Sequence, residues 1–247
     1  MSRGRSLLIS SASLLVGAAL WEITGRMASP AFWVPLSTVL VSIWDITQSG
    51  LLVSQVLASL RVYLVGLTLA VVVAAPLGLG LARWPRWRIA LEDYLTMLNA
   101  LPMVALIPFI LSLMGFGFAP KALVVFLFAF FPVLFNTIEG ALSVRPELLE
   151  VARSFRSTEW QIWRDVIVPH TWSFIMVGIR QAIARGLVGM VAAEFFLSPS
   201  GLGEMIMMAS QNFDTASMLA AILIMVALAV LLMRIGVFLE RRYMRWR

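Results

Sequence analysis

The chain has 247 residues, 61% of them in the apolar set AVILMFWYC and only 13% charged, with 19 Lys+Arg against 13 Asp+Glu for a formal charge of +6. A soluble globule carries about 25% charged residues, so a mean hydropathy of +0.93 excludes one and leaves room for on the order of six membrane crossings. The absence of cysteine also excludes disulfides, zinc–thiolate sites and a cysteine nucleophile.

Apolar runs separated by polar punctuation predict an all-α, polytopic membrane protein with about six transmembrane helices, at 7–25, 56–82, 89–114, 120–142, 171–197 and 215–238. Residues 1–55 are expected to hold the first transmembrane helix and an external amphipathic segment, and 56–247 a core of five further helices. Arg3 and Arg5 ahead of a run ending in Gly17, Ala18 and Ala19 have the flanks of a signal peptide; a retained anchor is expected instead. After Pro30 and Pro35, the spacing of Val39, Leu40, Ile43, Trp44 and Ile46 suits a short helix lying in the membrane interface. Gly201 and Gly203 mark a tight turn before a short re-entering helix.

Charge placement sets the expected orientation. Arg3 and Arg5 precede the first span, and Arg83, Arg86 and Arg88 separate the second from the third. Arg145, Arg153, Arg156 and Arg164 separate the fourth from the fifth, and Arg241, Arg242, Arg245 and Arg247 close the chain. The positive-inside rule puts both termini and the 143–170 loop in the cytoplasm.

That loop reads as two short helices. Pro146 suits a first helical position, and Leu148, Ala152 and Phe155 recur on one face. Thr158 and Gln161 form a capping box for the second helix, whose face carries Trp160, Trp163 and Ile167 and which Pro169 is expected to stop. A hairpin with an apolar face either enters a protein partner's groove or packs on its own span ends.

Charges inside spans are costly and mark candidate pathways. The fifth span carries Arg180, Gln181, Arg185 and Glu194. Arg185, near mid-span, would attract an anion through a low-dielectric passage or serve as a structural hydrogen-bond donor. Arg61 opens the second span, and Asn99 and Asn136 are softer candidates for a path or gate. The one histidine, His170, is expected to be a helix-end residue. Lys121 is the only lysine and no GxxxxGK[ST] surrounds it, nor is there an HExxH or GxSxG motif, so the chain is expected to be no enzyme and to bind no cofactor itself. An ion-coupled secondary carrier is the alternative. It would need mid-span acids, whereas Glu22, Glu92, Asp93, Glu139 and Glu194 lie toward span ends.

Glu150-Val151-Ala152, then Arg156, then Val166-Ile167-Val168-Pro169 resembles the EAA loop of bacterial ABC-importer permeases, E-A-A-x3-G-x9-I-x-L-P. Ser59-Leu60-Arg61-Val62, Pro76-Leu77-Gly78-Leu79-Gly80, Leu101-Pro102, Gly115-Phe116-Gly117, Gly178-Ile179-Arg180, Ala193-Glu194 and Gly201-Leu202-Gly203 follow in the order found in the nitrate/sulfonate/taurine-type permeases. The resemblance implies a type I ABC-importer permease fold in the bacterial inner membrane. It implies a homodimer in the lipid bilayer that forms the path for a small solute: a sulfonate, taurine, nitrate or a small aromatic or heterocyclic compound. It implies two cytoplasmic ATPase subunits that hold ATP and Mg, an external solute-binding protein, and no nucleic acid. By carry-over, Glu150, Ala152, Phe155, Ser157, Trp160 and Trp163 form or brace the coupling helix. Arg156 departs from the motif by standing at its glycine position, where a left-handed backbone would cost roughly 1 kcal/mol.

Overall fold

The computed structural model describes residues 3–29, 32–197 and 200–243. Arg245 and Arg247 of the charge map lie outside the described residues, as do the side chains of Arg3, Arg5, Arg241 and Arg242. The described elements are all helices: α1 (Arg3–Met27), α2 (Leu36–Gln48), α3 (Leu51–Arg83), α4 (Pro85–Ala100), α5 (Ile107–Met114), α6 (Phe118–Leu142), α7 (Pro146–Ser154), α8 (Glu159–Ile162), α9 (Val168–Leu197), α10 (Leu202–Gln211) and α11 (Thr215–Tyr243). A 3-10 turn, Met103–Leu106, precedes α5, and a π-helical segment, Trp163–Ile167, joins α8 to α9.

Among the described residues, four helical stretches are long and apolar enough to cross a membrane: Leu51–Arg83, Phe118–Leu142, Glu159–Leu197 and Thr215–Phe238. The helix α1 runs unbroken over the first expected span. The expected single span at 89–114 is instead a bent pair: α4 and the Met103–Met114 segment meet at 86°. Pro102 is the cause, because a proline disfavours helical backbone at the residue before it, and Leu101 is extended at φ −62°, ψ 137°.

The chain forms two compact units, one from Met1–Ala58 with Ser200–Ala227, the other from Ser59–Pro199 with Leu228–Arg247. In the first, Val34, Val39 and Ala220 form a core with Trp21, Ile43 and Leu219 packed on it. Glu22 of α1 accepts hydrogen bonds from the Ser37 backbone N–H and hydroxyl, each at 2.9 Å, so a side chain from another helix satisfies an open amide at the start of α2. The helix α2 therefore does more than lie in an interface: its Val39 face packs on α11. Before α10, Gly201 stands at φ 114°, a conformation that requires glycine.

The second unit is organised by α6 and α9, which pack along much of their length. Small residues allow the approach. A Cβ on Gly178 of α9 would lie 3.0 Å from the Pro132 carbonyl oxygen and from Val133 Cα in α6, and one on Gly66 of α3 would meet Val125 and Ala122 within 2.8 Å. Around these contacts Ala70, Ala74, Ala129, Val133, Leu134 and Ala182 are buried. Tyr63 of α3 donates its hydroxyl to the Ile183 carbonyl of α9 at 3.1 Å, which holds a third helix to the pair.

Candidate functional site

Two regions gather the residues singled out above, and both lie in the second unit. The first is a cavity of about 350 Å³ beside the break between α4 and α5, a volume that suits a small organic molecule. Asn99, Leu101, Pro102, Met103 and Val104 line it from the break, Leu127, Phe128 and Phe131 from α6, and Arg185 and Val188 from α9. Unwound backbone at membrane depth is tolerated where it is buried in protein or lines a cavity, and here the unwound residues are themselves cavity wall. Among the described lining residues Arg185 is the one charge and Asn99 the other polar side chain. In an otherwise apolar chamber the guanidinium is the feature that would attract a negative charge.

Gln181, Arg185 and Val188 share one face of α9 and all three are exposed in the single chain, as is Arg180. A charged stripe on a membrane helix is stable against water or another protein surface, not against lipid. Glu194 and Lys121 behave differently: they are 1% and 2% exposed, at the end of α9 and the start of α6, where neighbouring Ala193, Leu197 and Val124 form one core cluster. Asn136 is half-buried, donates its amide to the Pro132 carbonyl at 2.7 Å and packs opposite Gly178, away from the cavity. Arg61 is exposed on α3 and does not line it either.

The second region is the hairpin between α6 and α9. The capping box forms as the spacing predicts: the Thr158 amide donates to Gln161 Oε1 at 2.7 Å and the Gln161 amide to Thr158 Oγ1 at 3.4 Å. Arg156 stands at φ 56°, so the motif's glycine position is left-handed and is occupied by arginine. Two bonds lock the turn, Ser157 N–H to the Ala152 carbonyl at 3.1 Å and Arg156 N–H to the Arg153 carbonyl at 2.8 Å, the pattern of a left-handed helix C-cap. At the base of the hairpin Ser143 Oγ and His170 Nε2 are 3.1 Å apart, which ties the end of α6 to the start of α9 and places His170 as a helix-end residue.

Three expectations about the hairpin need correction. Pro169 does not stop the second helix, because the π-helical segment Trp163–Ile167 carries the chain on into α9, with the Val168 N–H donating to the Trp163 carbonyl. The wider turn of a π segment accommodates the missing N–H and the ring of the proline that follows. It also rotates the register, so Trp160, Trp163 and Ile167 do not share a face: Trp160 is 67% exposed while Ile167 is buried. In the first helix Leu149 and Ala152 pack inward with Ile162, Trp163 and Val166 against Ala82, Ala141 and Val144, whereas Phe155, expected beside Ala152, is 81% exposed. The hairpin thus rests one face on its own span ends and presents Glu150, Phe155, Arg156 and Trp160 outward, with Ala152, Ser157 and Trp163 as braces.

Sequence reasoning missed Tyr63, which is buried just after the Ser59–Val62 run, and took the Pro102 break as part of a continuous span. Pro102 and Pro108, six residues apart in an apolar run, were the available signal.

A family model described as a binding-protein-dependent transport system inner membrane component matches residues 66–245. The chain is similar to the riboflavin transport system permease protein of Chloroflexus aurantiacus, with 34% identity over 236 residues, 95% of this chain and 88% of that protein. It is also similar to the putative aliphatic sulfonates transport permease protein of Bacillus subtilis, with 31% identity over 232 residues, 93% and 84% of the two chains. A solved structure of an inward-facing methionine ABC transporter shares the fold, with a TM-score of 0.67, 18% identity and coverage of 79% of this chain and 97% of that one. These matches set aside the ion-coupled carrier. The chain belongs to the family of binding-protein-dependent transport system inner membrane components, and is a membrane permease component of an ABC importer for small solutes, not an enzyme.

Proposed function

We propose that two copies of this chain form the translocation path for a small organic anion of the sulfonate or taurine class, with Arg185 and Asn99 as the polar contacts of its membrane passage. The observation that carries this is their convergence, from α9 and from the α4–α5 break, on one cavity of small-molecule size. The exposed Gln181–Arg185–Val188 face of α9 supports a second copy or an aqueous path on that side. Both termini and the hairpin face the cytoplasm, where Glu150, Phe155, Arg156 and Trp160 enter the groove of an ATPase subunit that holds ATP and Mg. A solute-binding protein delivers the anion from outside. Because α8, the π segment and α9 are one continuous stretch from Glu159 to Leu197, movement of the hairpin is transmitted along α9 toward Arg185.

The test is uptake by the assembled transporter in proteoliposomes, with taurine, an alkanesulfonate, nitrate and a neutral heterocycle as solutes. Loss of a charged hydrogen bond is worth about 1.5–3 kcal/mol, so Arg185→Gln should lower uptake of the transported anion about tenfold or more, and Arg185→Lys should retain part of it. ATP hydrolysis and subunit assembly should persist. Anion uptake at the unaltered rate in Arg185→Gln, or transport of the neutral solute alone, overturns the assignment.

A further inference from the structure

A second cavity, of about 370 Å³, opens where α3 ends against the hairpin. Its surface is almost wholly apolar, from Leu79 and Gly80 of α3, Val168 of α9 and the side chains of Trp160 and Trp163, and Arg83 and Arg164 are the two charged residues among those that line it. Arg83 lies over the Trp163 ring at 5.2 Å from its centroid, a cation–π contact that fixes the arginine against the groove. Arg164 is paired with Asp165 at 3.2 Å, both side chains remaining more than half exposed.

The position of this groove along the membrane normal is set by the sequence. Gly80 is in the last apolar turn of α3, and Arg83, Trp84, Arg86 and Trp87 follow at once, with Trp84 and Trp87 both more than half exposed. That is the composition of the level where hydrocarbon gives way to headgroups. From Gly80 to Arg83 the helix rises only about 4.5 Å, so one bound molecule would meet apolar wall and guanidinium within a single turn. Its fitting occupant has an acyl chain beside a negative charge.

We propose that this groove binds an anionic phospholipid of the cytoplasmic leaflet, its phosphate held by Arg83 and Arg164 and an acyl chain lying against Gly80 and Val168. Basic pockets between membrane helices on the cytoplasmic side recognise anionic headgroups in this way. The inference rests on the membrane orientation given above and is independent of the assignment of Arg185. Since Trp163 and Val168 belong to the segment that carries the hairpin into α9, the lipid would brace that segment, and the activity of the assembled transporter would depend on anionic lipid.

The assembled transporter, reconstituted in phosphatidylcholine nanodiscs with and without phosphatidylglycerol, is delipidated stepwise, and retained lipid is counted by native mass spectrometry. Phosphatidylglycerol should be retained in preference to phosphatidylcholine. Arg83→Gln should weaken that retention roughly fivefold, the worth of one arginine beside an anionic lipid. Gly80→Leu keeps both arginines and tests the acyl contact, because a Cβ at Gly80 meets only the Trp84 ring, at 3.5 Å or beyond; it too should reduce retention. Equal retention of the two lipids, retention unchanged in both variants, or a groove covered by the ATPase with no lipid retained would each overturn the proposal. A normal anion-uptake profile alongside any of these would leave the assignment of Arg185 standing.

Discussion

Replacing Arg156 with glycine should steady the turn between α7 and α8. At φ 56° the Cβ of an L-residue crowds the following carbonyl oxygen, at a cost of roughly 1–2 kcal/mol. Glycine removes that crowding but loses more chain entropy on folding, which takes back about 0.4–1 kcal/mol. The net gain is about 0.5–1 kcal/mol, or roughly a two- to fivefold change in the local opening equilibrium. The amides that report it are those of Arg156 and Ser157, bonded to the Arg153 and Ala152 carbonyls at 2.8 and 3.1 Å. In amide hydrogen exchange of the whole chain in detergent, both should exchange about two- to fivefold more slowly in Arg156→Gly, while amides in the middle of α6 stay unchanged. Arg156→Val should move them the other way, because a β-branched residue is least tolerant of a positive φ. Phe213 offers a matched site in the other unit: φ is 55°, and the Phe213 and Asp214 amides donate to the Ser210 and Ala209 carbonyls at 3.2 and 2.9 Å. Identical exchange in the Gly and Val variants at position 156 would refute the left-handed cap and with it the reading of arginine at the motif's glycine position.

Gly178→Leu should disrupt the α6–α9 pair, since its Cβ would stand 3.0 Å from backbone atoms of Pro132 and Val133 that have no room to yield. Overpacking of this kind costs about 1–3 kcal/mol or more, readable as a lowered midpoint in denaturant titration. Gly17→Leu is the control, because nothing lies within 4 Å of a Cβ there. Trp160→Ala should leave stability within about 0.5 kcal/mol, as expected for a mostly exposed side chain, yet weaken co-purification of the ATPase about thirtyfold if the indole is an interface anchor. A stable variant that still retains the ATPase fully would remove Trp160 from the coupling surface.

The parts of this fold that were legible in the sequence are those governed by local chemistry. The capping box at Thr158 and Gln161 needs only four consecutive residues, and the long apolar runs of α3, α6 and α11 mark themselves by hydropathy. What was not legible depended on neighbours or on helix register. A heptad-like count puts Trp160 and Ile167 on one face, but the π segment between them absorbs an extra residue per turn, and nothing in the residues 163–167 announces it. Tyr63 reads as one more aromatic in an apolar run, and its hydrogen bond to Ile183 exists only once α3 lies against α9. Asn99 and Arg185 were each visible as polar residues in apolar surroundings, 86 positions apart, with no pattern to join them.

The Pro102 break is what joins them. A continuous helix over 89–114 would satisfy its own backbone and could face lipid anywhere along its length. By ending α4 at Ala100 and turning 86° before α5, the chain makes Leu101–Val104 part of a cavity wall that residues of α6 and α9 complete, a setting in which unwound backbone is tolerated. Arg185 faces that same chamber, so the cost of unwinding a span and the cost of an arginine within the membrane are met in one place. A chain with neither feature would cross the bilayer more stably. That both fall on one cavity is the physical ground on which this cavity, rather than Asn136 or Arg61, is proposed as the path of the solute.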